Sequence, residues 1–410
     1  MLGMTVRTVV TVGAGQVAAV AARTLRRRGF DGRIVLLGDE QHAPYQRPPL
    51  SKEFLAGREG VDSLALLTRK WLDANDIDIR TGVSVQRIDT ATRTVEFDGG
   101  EIAADAIVLA TGGRPRTLTT TGSRPDLVHY LRTLDDATAL AARLTPGSSL
   151  AIVGGGFIGL EIAATARSLG VTVTVLEQAE HLLGGILGEQ VGRHCAELHH
   201  RNGVDLRAGT GVASVTTSDD GVRIETTTGI VEADAVVVGI GIVPNTDIAA
   251  ASGLAVDGGI VVDATGRTSV ENIYAAGDVA KRFSPREGRH VRVEHFDNAN
   301  RQAAVVADAI VGRQSLSDDP HWFWSDQYDT NIQFAGSASG TTELVVRGDT
   351  DSGEFSVFYL AGDVLTAAFA MDRGEDIMAA RELIGRRVDA ALLADEDTDL
   401  WEMYEEVEPA

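Results

Sequence analysis

Short runs of apolar, mostly β-branched residues alternate with longer amphipathic stretches along most of the chain. The run Thr8–Val12 is followed by a helical pattern through Val20, Leu25 and Arg28, and then by a second apolar run, Ile34–Leu37. Apolar residues at helical spacing between two buried-type strands predict a strand–helix–strand unit, and therefore a parallel sheet. This part of the chain is thus predicted to be α/β.

The same unit recurs far downstream. The run Leu150–Val153 precedes a helical pattern through Ile162, Ala166 and Leu169, and the strand Val171–Leu176 follows. Additional buried strands are predicted from apolar runs that lie outside the two units. These are Ala106–Ala110, which leads into Thr111-Gly112-Gly113, then Ala235–Gly239, and finally Ile273–Ala276, which leads into Gly277-Asp278.

From about Asp326 the pattern changes to alternating runs, which are typical of antiparallel strands. The predicted strands are Leu344–Arg347, Phe355–Leu360 and Val364–Ala370, and a helix is predicted from about Gly374 to Gly385. The last segment, Asp395 to Glu408, carries eight carboxylates and no basic residue. We expect it to be a solvated or loosely packed end.

A glycine-rich turn joins the first strand to the helix in each unit. The turns are Gly13-Ala14-Gly15 and Gly154-Gly155-Gly156. Glycine lets the backbone approach a pyrophosphate, and the helix N-terminus adds free N–H groups and a positive dipole. One such turn is also compatible with a simple tight connection. Two copies, each with an acidic residue (Asp39 or Glu177) closing the next strand, predict two bound dinucleotides.

The acidic residue of the second unit helps to distinguish NADH from NADPH as the cofactor. Glu177 is followed by Gln178-Ala179-Glu180-His181, which has no arginine or lysine to receive a 2′-phosphate, so NADH is favoured over NADPH. A surface glutamate at a strand end is the alternative. Asp278 has two equally weighted interpretations, which are an acceptor for a ribityl hydroxyl and an N-cap for the next segment.

Composition narrows the possible functions. The 410 residues fit two or three domains at roughly 150 residues each. A net charge of −22 makes nucleic acid an unlikely partner. One cysteine, Cys195, excludes a disulfide framework and an internal redox-active cysteine pair, and it indicates a reducing compartment. Neither a secretory signal nor a membrane-spanning run is predicted, so a cytoplasmic location is expected.

The chain resembles the putidaredoxin-reductase-like family of FAD-dependent NADH:ferredoxin reductases, which serve bacterial Rieske oxygenases and cytochrome monooxygenases. The resemblance extends over essentially the whole chain, and two of its strings are specific to the group. The strings are Gly38-Asp39-Glu40, Pro44 to Lys52 with its Pro-Pro-Leu-Ser-Lys, Leu109 to Pro115, Tyr130 to Leu134, Gly154 to Glu161, Ala276 to Asp278, and Trp322-Phe323-Trp324-Ser325-Asp326-Gln327-Tyr328.

This resemblance implies two Rossmann-like dinucleotide-binding domains in a glutathione-reductase-like arrangement, with a C-terminal α+β domain. The implied FAD domain is discontinuous (1–113 and 240–320), the NAD domain is 114–239, and the C-terminal domain is 321–410. The implied cofactors are tightly but non-covalently bound FAD and NADH as electron donor; no metal site is expected. Implied FAD contacts are Gly13, Gly15, Gln16, Val17, Asp39, Arg47, Lys52, Val85, Ala110, Thr111, Gly112, Arg132, Gly277, Asp278, Glu294, Phe296 and Trp324.

The resemblance also implies an NADH site and two catalytic residues, Lys52 near the flavin N5 atom and Glu161 paired with it. The implied NADH contacts are Gly154, Gly155, Gly156, Phe157, Ile158, Gly159, Glu161 and Glu177. Phe157 is expected to cover the flavin until nicotinamide displaces it. Lys52 and Glu161 could instead be surface residues. Trp322 and Trp324 could equally be core anchors of the C-terminal domain.

Two departures from the family pattern affect the expected contacts. The segment 182–187 lacks an arginine common in that loop, and the helix after Asn298 retains Arg301 as its basic residue, followed by Ala303 and Ala304. Ferredoxin recognition is therefore expected to use other contacts. Arg301 is one candidate, and the cluster Arg23, Arg26, Arg27, Arg28 and Arg33 is another, although a solvated helix face is favoured for the cluster.

The predicted reaction is hydride transfer from NADH to FAD, followed by two single-electron transfers to a [2Fe–2S] ferredoxin. The ferredoxin would bind transiently and would serve a cytochrome monooxygenase or a Rieske oxygenase. Without a cysteine pair, electrons must leave from the flavin itself. An NADH oxidase or small-molecule reductase on the same scaffold is the second hypothesis. A flavin-dependent interaction protein, similar to apoptosis-inducing factor, is the third.

Overall fold

The computed structural model describes residues 6–406, with side chains through residue 404. Contacts between residues group the chain into two units. The first unit comprises residues 1–46, 61–114 and 242–319, and the second comprises 47–60, 115–241 and 320–410. Among the described residues, none of the helices has both the length and the apolar character needed to cross a membrane. The three-domain division stays a prediction.

The strands of the described residues are numbered in chain order. They are β1 (Thr8–Val12), β2 (Arg33–Leu37), β3 (Ile77–Arg80), β4 (Val85–Asp89), β5 (Thr94–Phe97), β6 (Gly100–Ala103), β7 (Ala106–Leu109), β8 (Gly113–Pro115), β9 (Thr120–Gly122), β10 (Val128–His129), β11 (Ser149–Val153), β12 (Thr172–Leu176), β13 (Asp205–Arg207), β14 (Val212–Ser218), β15 (Gly221–Thr226), β16 (Gly229–Ala233), β17 (Ala235–Val238), β18 (Ile242–Pro244), β19 (Ile260–Val262), β20 (Ile273–Ala275), β21 (Ala280–Ser284), β22 (Arg289–Val291), β23 (Trp322–Gln327), β24 (Thr330–Gly336), β25 (Glu343–Asp349), β26 (Glu354–Ala361) and β27 (Val364–Met371).

The α-helices are numbered in the same way. They are α1 (Gln16–Arg27), α2 (Arg69–Asn75), α3 (Leu134–Ala141), α4 (Phe157–Ser168), α5 (Gly184–Leu187), α6 (Glu189–Arg201), α7 (Asp247–Ala251), α8 (Phe296–Ile310), α9 (Gly374–Leu383), α10 (Ala390–Ala394) and α11 (Leu400–Glu406). Short 3₁₀ helices span Pro48–Ser51, Val61–Leu64 and Pro125–Leu127.

The first unit is built on a parallel sheet with the order β20-β7-β1-β2-β3. Its central strands are continuous apolar runs, as expected for strands that are buried on both faces. Helix α1 contributes Val17, Ala18 and Leu25 to a hydrophobic core that also contains Ala303 and Val306 of α8. The strand–helix–strand unit predicted here is confirmed.

The second unit repeats this design with the parallel order β10-β17-β11-β12-β13. The antiparallel sheet β23-β24-β27-β26-β25 of the same unit packs against its helices. Leu160 of α4 and Leu198 of α6 share one core with Phe323, Phe355 and Phe369 of that sheet. The predicted antiparallel strands after Asp326 and the helix that follows them are therefore confirmed.

The prediction of a solvated or loosely packed C-terminal end is wrong for its described part. Leu400 and Met403 of α11 are 4% and 5% exposed and belong to the core of the C-terminal sheet. The guanidinium of Arg347 donates to the backbone carbonyls of Asp395 and Thr398. Two apolar residues about one helical turn apart thus anchor the acidic segment, while residues 407–410 lie outside the described residues.

Candidate functional site

The first glycine turn lies where the strand order of its sheet reverses. Strand β1 pairs with β2 on one side and with β7 on the other, and ligands bind at such switch points in open α/β sheets. Gly13 has φ of +105°, and a Cβ on it would lie 2.2 Å from the carbonyl oxygen of Ala110. Only glycine therefore allows the ends of β1 and β7 to approach this closely.

The next turn glycine leaves the start of α1 open. Gly15 is the N-cap of α1, where no side chain caps the free N–H groups. Among the described residues, a Cβ on Gly15 would have no neighbour within 4 Å. An uncapped helix start that faces open space is suited to bind an anionic group.

The second turn reproduces both features. Gly154 has φ of +106°, and its Cβ would lie 2.4 Å from the carbonyl oxygen of Gly239. Gly156 is the N-cap of α4 and makes no side-chain cap bond, and a Cβ on it would have no neighbour within 4 Å in residues 6–406. Close packing continues into the helix, because a Cβ on Gly159 would lie 2.3 Å from the Gly154 carbonyl oxygen. The two units thus carry matching glycine turns, each suited by its geometry to bind an anionic group.

Side chains of α1 and α8 surround the first turn. Gln16 donates from Nε2 to Asn300 Oδ1 over 2.5 Å, while its Oε1 atom is buried with no partner among the described residues. The Gly277 N–H donates to Gln302 Oε1 over 2.8 Å. A Cβ on Gly277 would lie 2.7 Å from Val17. The structure therefore brings Gln16, Val17 and Gly277 together beside the turn.

The remaining predicted residues of the first unit lie in loops and at the ends of strands and helices. Thr111 donates from Oγ1 to the Asn245 carbonyl over 2.7 Å. The N-cap interpretation of Asp278 is wrong, because β21 follows it and α8 begins only at Phe296. Asp39 and Glu294 are exposed, and Val85, Ala110, Gly112, Asp278 and Phe296 are partly buried.

The second unit contains a buried ion pair between Lys52 and Glu161. The Nζ atom of Lys52 lies 3.0 Å from Glu161 Oε2, and the two side chains are 10% and 4% exposed. The same carboxylate accepts hydrogen bonds from the hydroxyls of Ser51 and, over 2.7 Å, Ser325. The surface interpretation of Lys52 and Glu161 is therefore wrong.

Local structure explains how the two charges meet. Lys52 ends the 3₁₀ helix Pro48–Ser51, whose two prolines favour a helix start. Glu161 lies in α4, one turn after its N-terminus, and faces this segment. Thr165, one turn further along α4, donates to the Ser51 carbonyl oxygen over 2.8 Å. Helix α4 thus begins directly after the glycine turn and carries the partner of the lysine.

Glu177 is bound to its own glycine turn. Its Oε2 accepts from the Gly155 N–H over 2.7 Å, and its Oε1 accepts from the Ala179 N–H over 2.8 Å. Arg207, on the neighbouring strand, directs its guanidinium to Asp205 over 2.6 Å. The carboxylate at the strand end therefore fixes the turn, and the nearby arginine has an acidic partner of its own.

Other predicted residues of the second unit occupy varied positions. Arg47 donates to the carbonyl oxygen of Arg132. Phe157 packs edge-on against Phe323, with ring centroids 4.6 Å apart, whereas its neighbour Ile158 is 49% exposed. Trp324 stacks on Trp322 with centroids 5.4 Å apart.

Most of the predicted arginine cluster is engaged within the first unit. Arg26 donates to the backbone carbonyls of Phe30 and Gly32. Arg28 pairs with Asp308, and Arg33 pairs with Asp78. Arg23 and Arg27 are exposed. Arg301 pairs with Asp297 and Asp319. The carboxylates beside Arg28, Arg33 and Arg301 offset the charge of these three residues, which weakens the case for them in a basic docking surface.

The single cysteine lies in the interior of the fold. Cys195 is fully buried in α6, and burial raises the pKa of its thiol to about 12. Since the thiolate is the reactive form, a fully buried thiol with a raised pKa is poorly suited to redox exchange at neutral pH.

Sequence reasoning missed the serines that complete the site. Ser51 and Ser325 both bond to Glu161, yet neither was among the predicted site residues. A signal was present, because both lie inside the two strings that are specific to the family. What the sequence lacked was the pairing of two positions that are 110 and 164 residues from Glu161 along the chain.

Comparison with known proteins gives a consistent result along the chain. The family described as pyridine nucleotide-disulphide oxidoreductase matches residues 7–303, and the family described as reductase C-terminal matches residues 322–404. The chain is 43% identical over 391 residues to the ferredoxin–NAD(+) reductase component of the anthranilate 1,2-dioxygenase system of Burkholderia cepacia, covering 94% of this chain and 96% of the relative. It is 40% identical over 394 residues to rhodocoxin reductase of Rhodococcus erythropolis, covering 95% and 92%.

A solved structure agrees with these relatives. The covalent putidaredoxin reductase–putidaredoxin complex contains a chain that matches with a TM-score of 0.92 at 36% identity, covering 98% of each chain.

Proposed function

The chain belongs to the pyridine nucleotide-disulphide oxidoreductase family, and from this premise we propose that it is an NADH-dependent ferredoxin reductase. It takes a hydride from NADH onto FAD and passes electrons singly to a [2Fe–2S] ferredoxin, which in turn serves a Rieske oxygenase or a cytochrome monooxygenase. The observation that carries the proposal is the pair of matching glycine turns, each at the switch point of its own parallel sheet.

The first turn fits the pyrophosphate of FAD. The open space at Gly15 and the uncapped start of α1 suit its two phosphates. The buried Gln16 Oε1 atom lacks a partner among the described residues, and a hydroxyl of a bound nucleotide would satisfy it. Asp39, at the end of β2, would accept from a ribose hydroxyl. Bound FAD supplies the ability to accept a hydride and release electrons one at a time.

The second turn fits NADH. Gly156 and the start of α4 would hold the pyrophosphate, and Glu177 would accept from the adenosine ribose while it keeps its bonds to the turn. A 2′-phosphate there would meet this carboxylate, and Arg207 already has Asp205 as its partner. These residues therefore favour NADH over NADPH.

Lys52 and Glu161 would act by electrostatics and positioning. The lysine ammonium would stabilise negative charge that develops on the reduced flavin. The carboxylate would hold the ammonium in place, because ammonium stems are otherwise flexible. No proton transfer by a side chain is required for hydride transfer. The roles of the other predicted contacts, among them Arg47, Val85, Arg132, Glu294 and Trp324, stay predictions.

The electron acceptor must be a separate molecule. Family members described by disulphide chemistry need a reactive thiol pair, whereas this chain has one cysteine and that residue is fully buried. A ferredoxin is the acceptor we propose, since the relatives are named as reductase components that act with one. We further propose the cytoplasm as the location, on the basis of the cysteine content.

The proposal is tested by anaerobic titration of the purified protein with NADH, followed by addition of a [2Fe–2S] ferredoxin. We expect one equivalent of NADH to bleach the flavin spectrum and oxidised ferredoxin to restore it. Rapid restoration by oxygen or a quinone, with no response to ferredoxin, would favour the oxidase or small-molecule reductase. A tightly bound NADH complex that delivers almost no electrons would favour the interaction protein. Absence of flavin would refute all three.

A further inference from the structure

A line of buried polar side chains extends from Glu161 into the C-terminal sheet. Ser325 bonds to Glu161 over 2.7 Å, and Gln327 bonds through Nε2 to Ser325 Oγ over 3.0 Å. Gln327 Oε1 lies 2.8 Å from His199 Nε2. His199 Nδ1 lies 3.0 Å from the hydroxyl of Tyr328. Ser325, Gln327 and His199 are each 0% exposed, so the hydrogen bonds among these three side chains are shielded from bulk water, while Tyr328 is partly buried.

The carboxylate fixes the direction of every bond in this line. An ionised Glu161 can only accept, so Ser325 must donate to it. The Ser325 oxygen then accepts from the Gln327 amide N–H, which turns the amide oxygen toward His199. His199 must therefore donate from Nε2, which leaves Nδ1 to accept from Tyr328. Burial lowers the pKa of His199 to about 4, so the ring is neutral near pH 7 and carries one N–H, as this order requires.

The backbone conformation at Tyr328 supports a specific role for the contact between its hydroxyl and His199. Tyr328 and Asp329 connect β23 to β24, and Tyr328 has φ of +58°. Bulky residues rarely adopt this conformation, and glycine is favoured at such turn positions. A tyrosine therefore occupies the position at a conformational cost. Its hydroxyl reaches His199, and its ring lies 5.3 Å from the imidazole between centroids.

The line does not conduct protons along its length. Proton transfer through Gln327 would require the amide to pass through its imidic acid form, which is unfavourable. Buried polar networks that are fully bonded instead make one arrangement of side chains rigid. The second carboxylate oxygen of Glu161 is held by Ser51 and Lys52, so Ser325 determines how the first oxygen is directed.

Resting on the proposed function, we propose that Ser325, Gln327, His199 and Tyr328 form a positioning relay that fixes the orientation of Glu161 and, through it, of Lys52. Each of the four side chains donates a hydrogen bond to the next group in the direction of the carboxylate. The relay thereby holds the lysine ammonium at the position where hydride transfer needs it. The four are positioning residues, since they act through Glu161 and not on the substrate.

Ser325→Ala removes the bond to Glu161, and Ser356→Ala is its matched control. Ser356 is also 0% exposed, lies in the same antiparallel sheet, and donates to a carboxylate, Asp376, over 2.7 Å. In anaerobic stopped-flow reduction by NADH, we expect Ser325→Ala to lower the limiting rate of flavin reduction about tenfold, with an unchanged dissociation constant for NADH. Ser356→Ala should leave the limiting rate unchanged. Equal limiting rates for the two variants would overturn the relay.

A second measurement requires no variant and no turnover. In the unreduced protein labelled with ¹⁵N-histidine, long-range ¹H–¹⁵N spectra near pH 7 should show His199 as the Nε2–H tautomer, assigned by the signal lost in His199→Gln. Tyr328→Phe should move the Nδ1 resonance, because it removes the donor to that atom. An Nδ1–H tautomer in the wild type would reverse the donor and acceptor roles of His199 and refute the relay, even if Ser325→Ala failed to fold.

Different results would refute the proposed function and the proposed relay. A wild-type protein that NADH does not reduce would refute the proposed function. A wild-type protein that is reduced normally, together with a Ser325→Ala variant that is reduced at the same limiting rate, would refute the relay alone.

Discussion

The ammonium of Lys52 lies 3.0 Å from the carboxylate of Glu161, with the two side chains only 10% and 4% exposed. Both charges have thus lost most of their hydration; each is compensated by the other, and the carboxylate also accepts from the hydroxyls of Ser51 and Ser325. Breaking such a pair leaves one buried charge without compensation, whereas removing both charges together does not. The pair therefore links stability to the residues we propose for catalysis.

We expect Glu161→Gln to lower the free energy of unfolding by about 3 kcal/mol, because it leaves the Lys52 ammonium buried and unpaired. Combining it with Lys52→Met should recover a large part of that loss. Urea unfolding of the holoprotein measures both changes. The exposed pair Arg223–Glu232 supplies the control, and Glu232→Gln should cost less than about 0.5 kcal/mol. A similar cost for the two glutamine variants would contradict the argument.

The two open turn glycines allow the cofactor sites to be tested separately. A methyl group at Gly15 or at Gly156 would have no non-adjacent neighbour within 4 Å in the described part of the chain, so either alanine variant should fold normally. The methyl group would instead meet a bound pyrophosphate. We expect Gly15→Ala to weaken FAD binding about tenfold or more, and Gly156→Ala to retain FAD but to weaken NADH binding by a similar factor. Flavin content and NADH titration measure these effects.

Gly13→Ala is the contrasting control for this pair. Its Cβ would lie 2.2 Å from the Ala110 carbonyl oxygen, and its φ of +105° is unfavourable for alanine. This variant should lose folded protein as well as flavin. If Gly15→Ala and Gly156→Ala bound both cofactors with wild-type affinity, the two turns would not be the binding sites.

Glu177 should determine the affinity for NADH. Glu177→Ala removes the predicted ribose acceptor and the acceptor for the Gly155 N–H, so we expect the dissociation constant for NADH to rise about tenfold. Fluorescence titration of the oxidised protein with NADH measures the change. Glu180, an exposed residue three positions further on, supplies the control Glu180→Ala, which should not alter NADH affinity. Equal affinities for the two variants would show that Glu177 does not contact the nucleotide.

The sequence predicted those elements whose pattern is local. Thr8–Val12 matches β1 at both ends, and Leu150–Val153 differs from β11 by one residue. Short edge strands such as Ile77–Arg80 were not predicted, because a few partly buried residues give no clear periodicity. In the acidic segment from Asp395 onward, the many carboxylates obscured the spacing of Leu400 and Met403. The side chains of these two residues lie on the buried face of α11.

The site was predictable to the extent that it depends on backbone geometry. Glycine turns carry their own signal, since close approach and positive φ exclude other residues at Gly13 and Gly154. The burial of Lys52 with Glu161 and the bond from Ser325 depend on tertiary packing between distant segments. A single sequence contains no measure of such distances, so it could suggest the ion pair by resemblance and could not suggest its serine partners.

His199 should make the protein less stable in mild acid. Burial lowers the pKa of its imidazole from 6.5 to about 4, so between these values the unfolded chain binds more protons than the folded chain. Stability contributed by His199 is therefore present above pH 6.5 and is lost as the pH falls toward 4. We expect about 2 kcal/mol of unfolding free energy to be lost between pH 7 and pH 5 through this group. Urea unfolding of the wild type and of His199→Gln at both pH values isolates that loss, with the exposed neighbour variant His200→Gln as control. The same pH dependence in His199→Gln as in the wild type would assign the acid sensitivity to other groups.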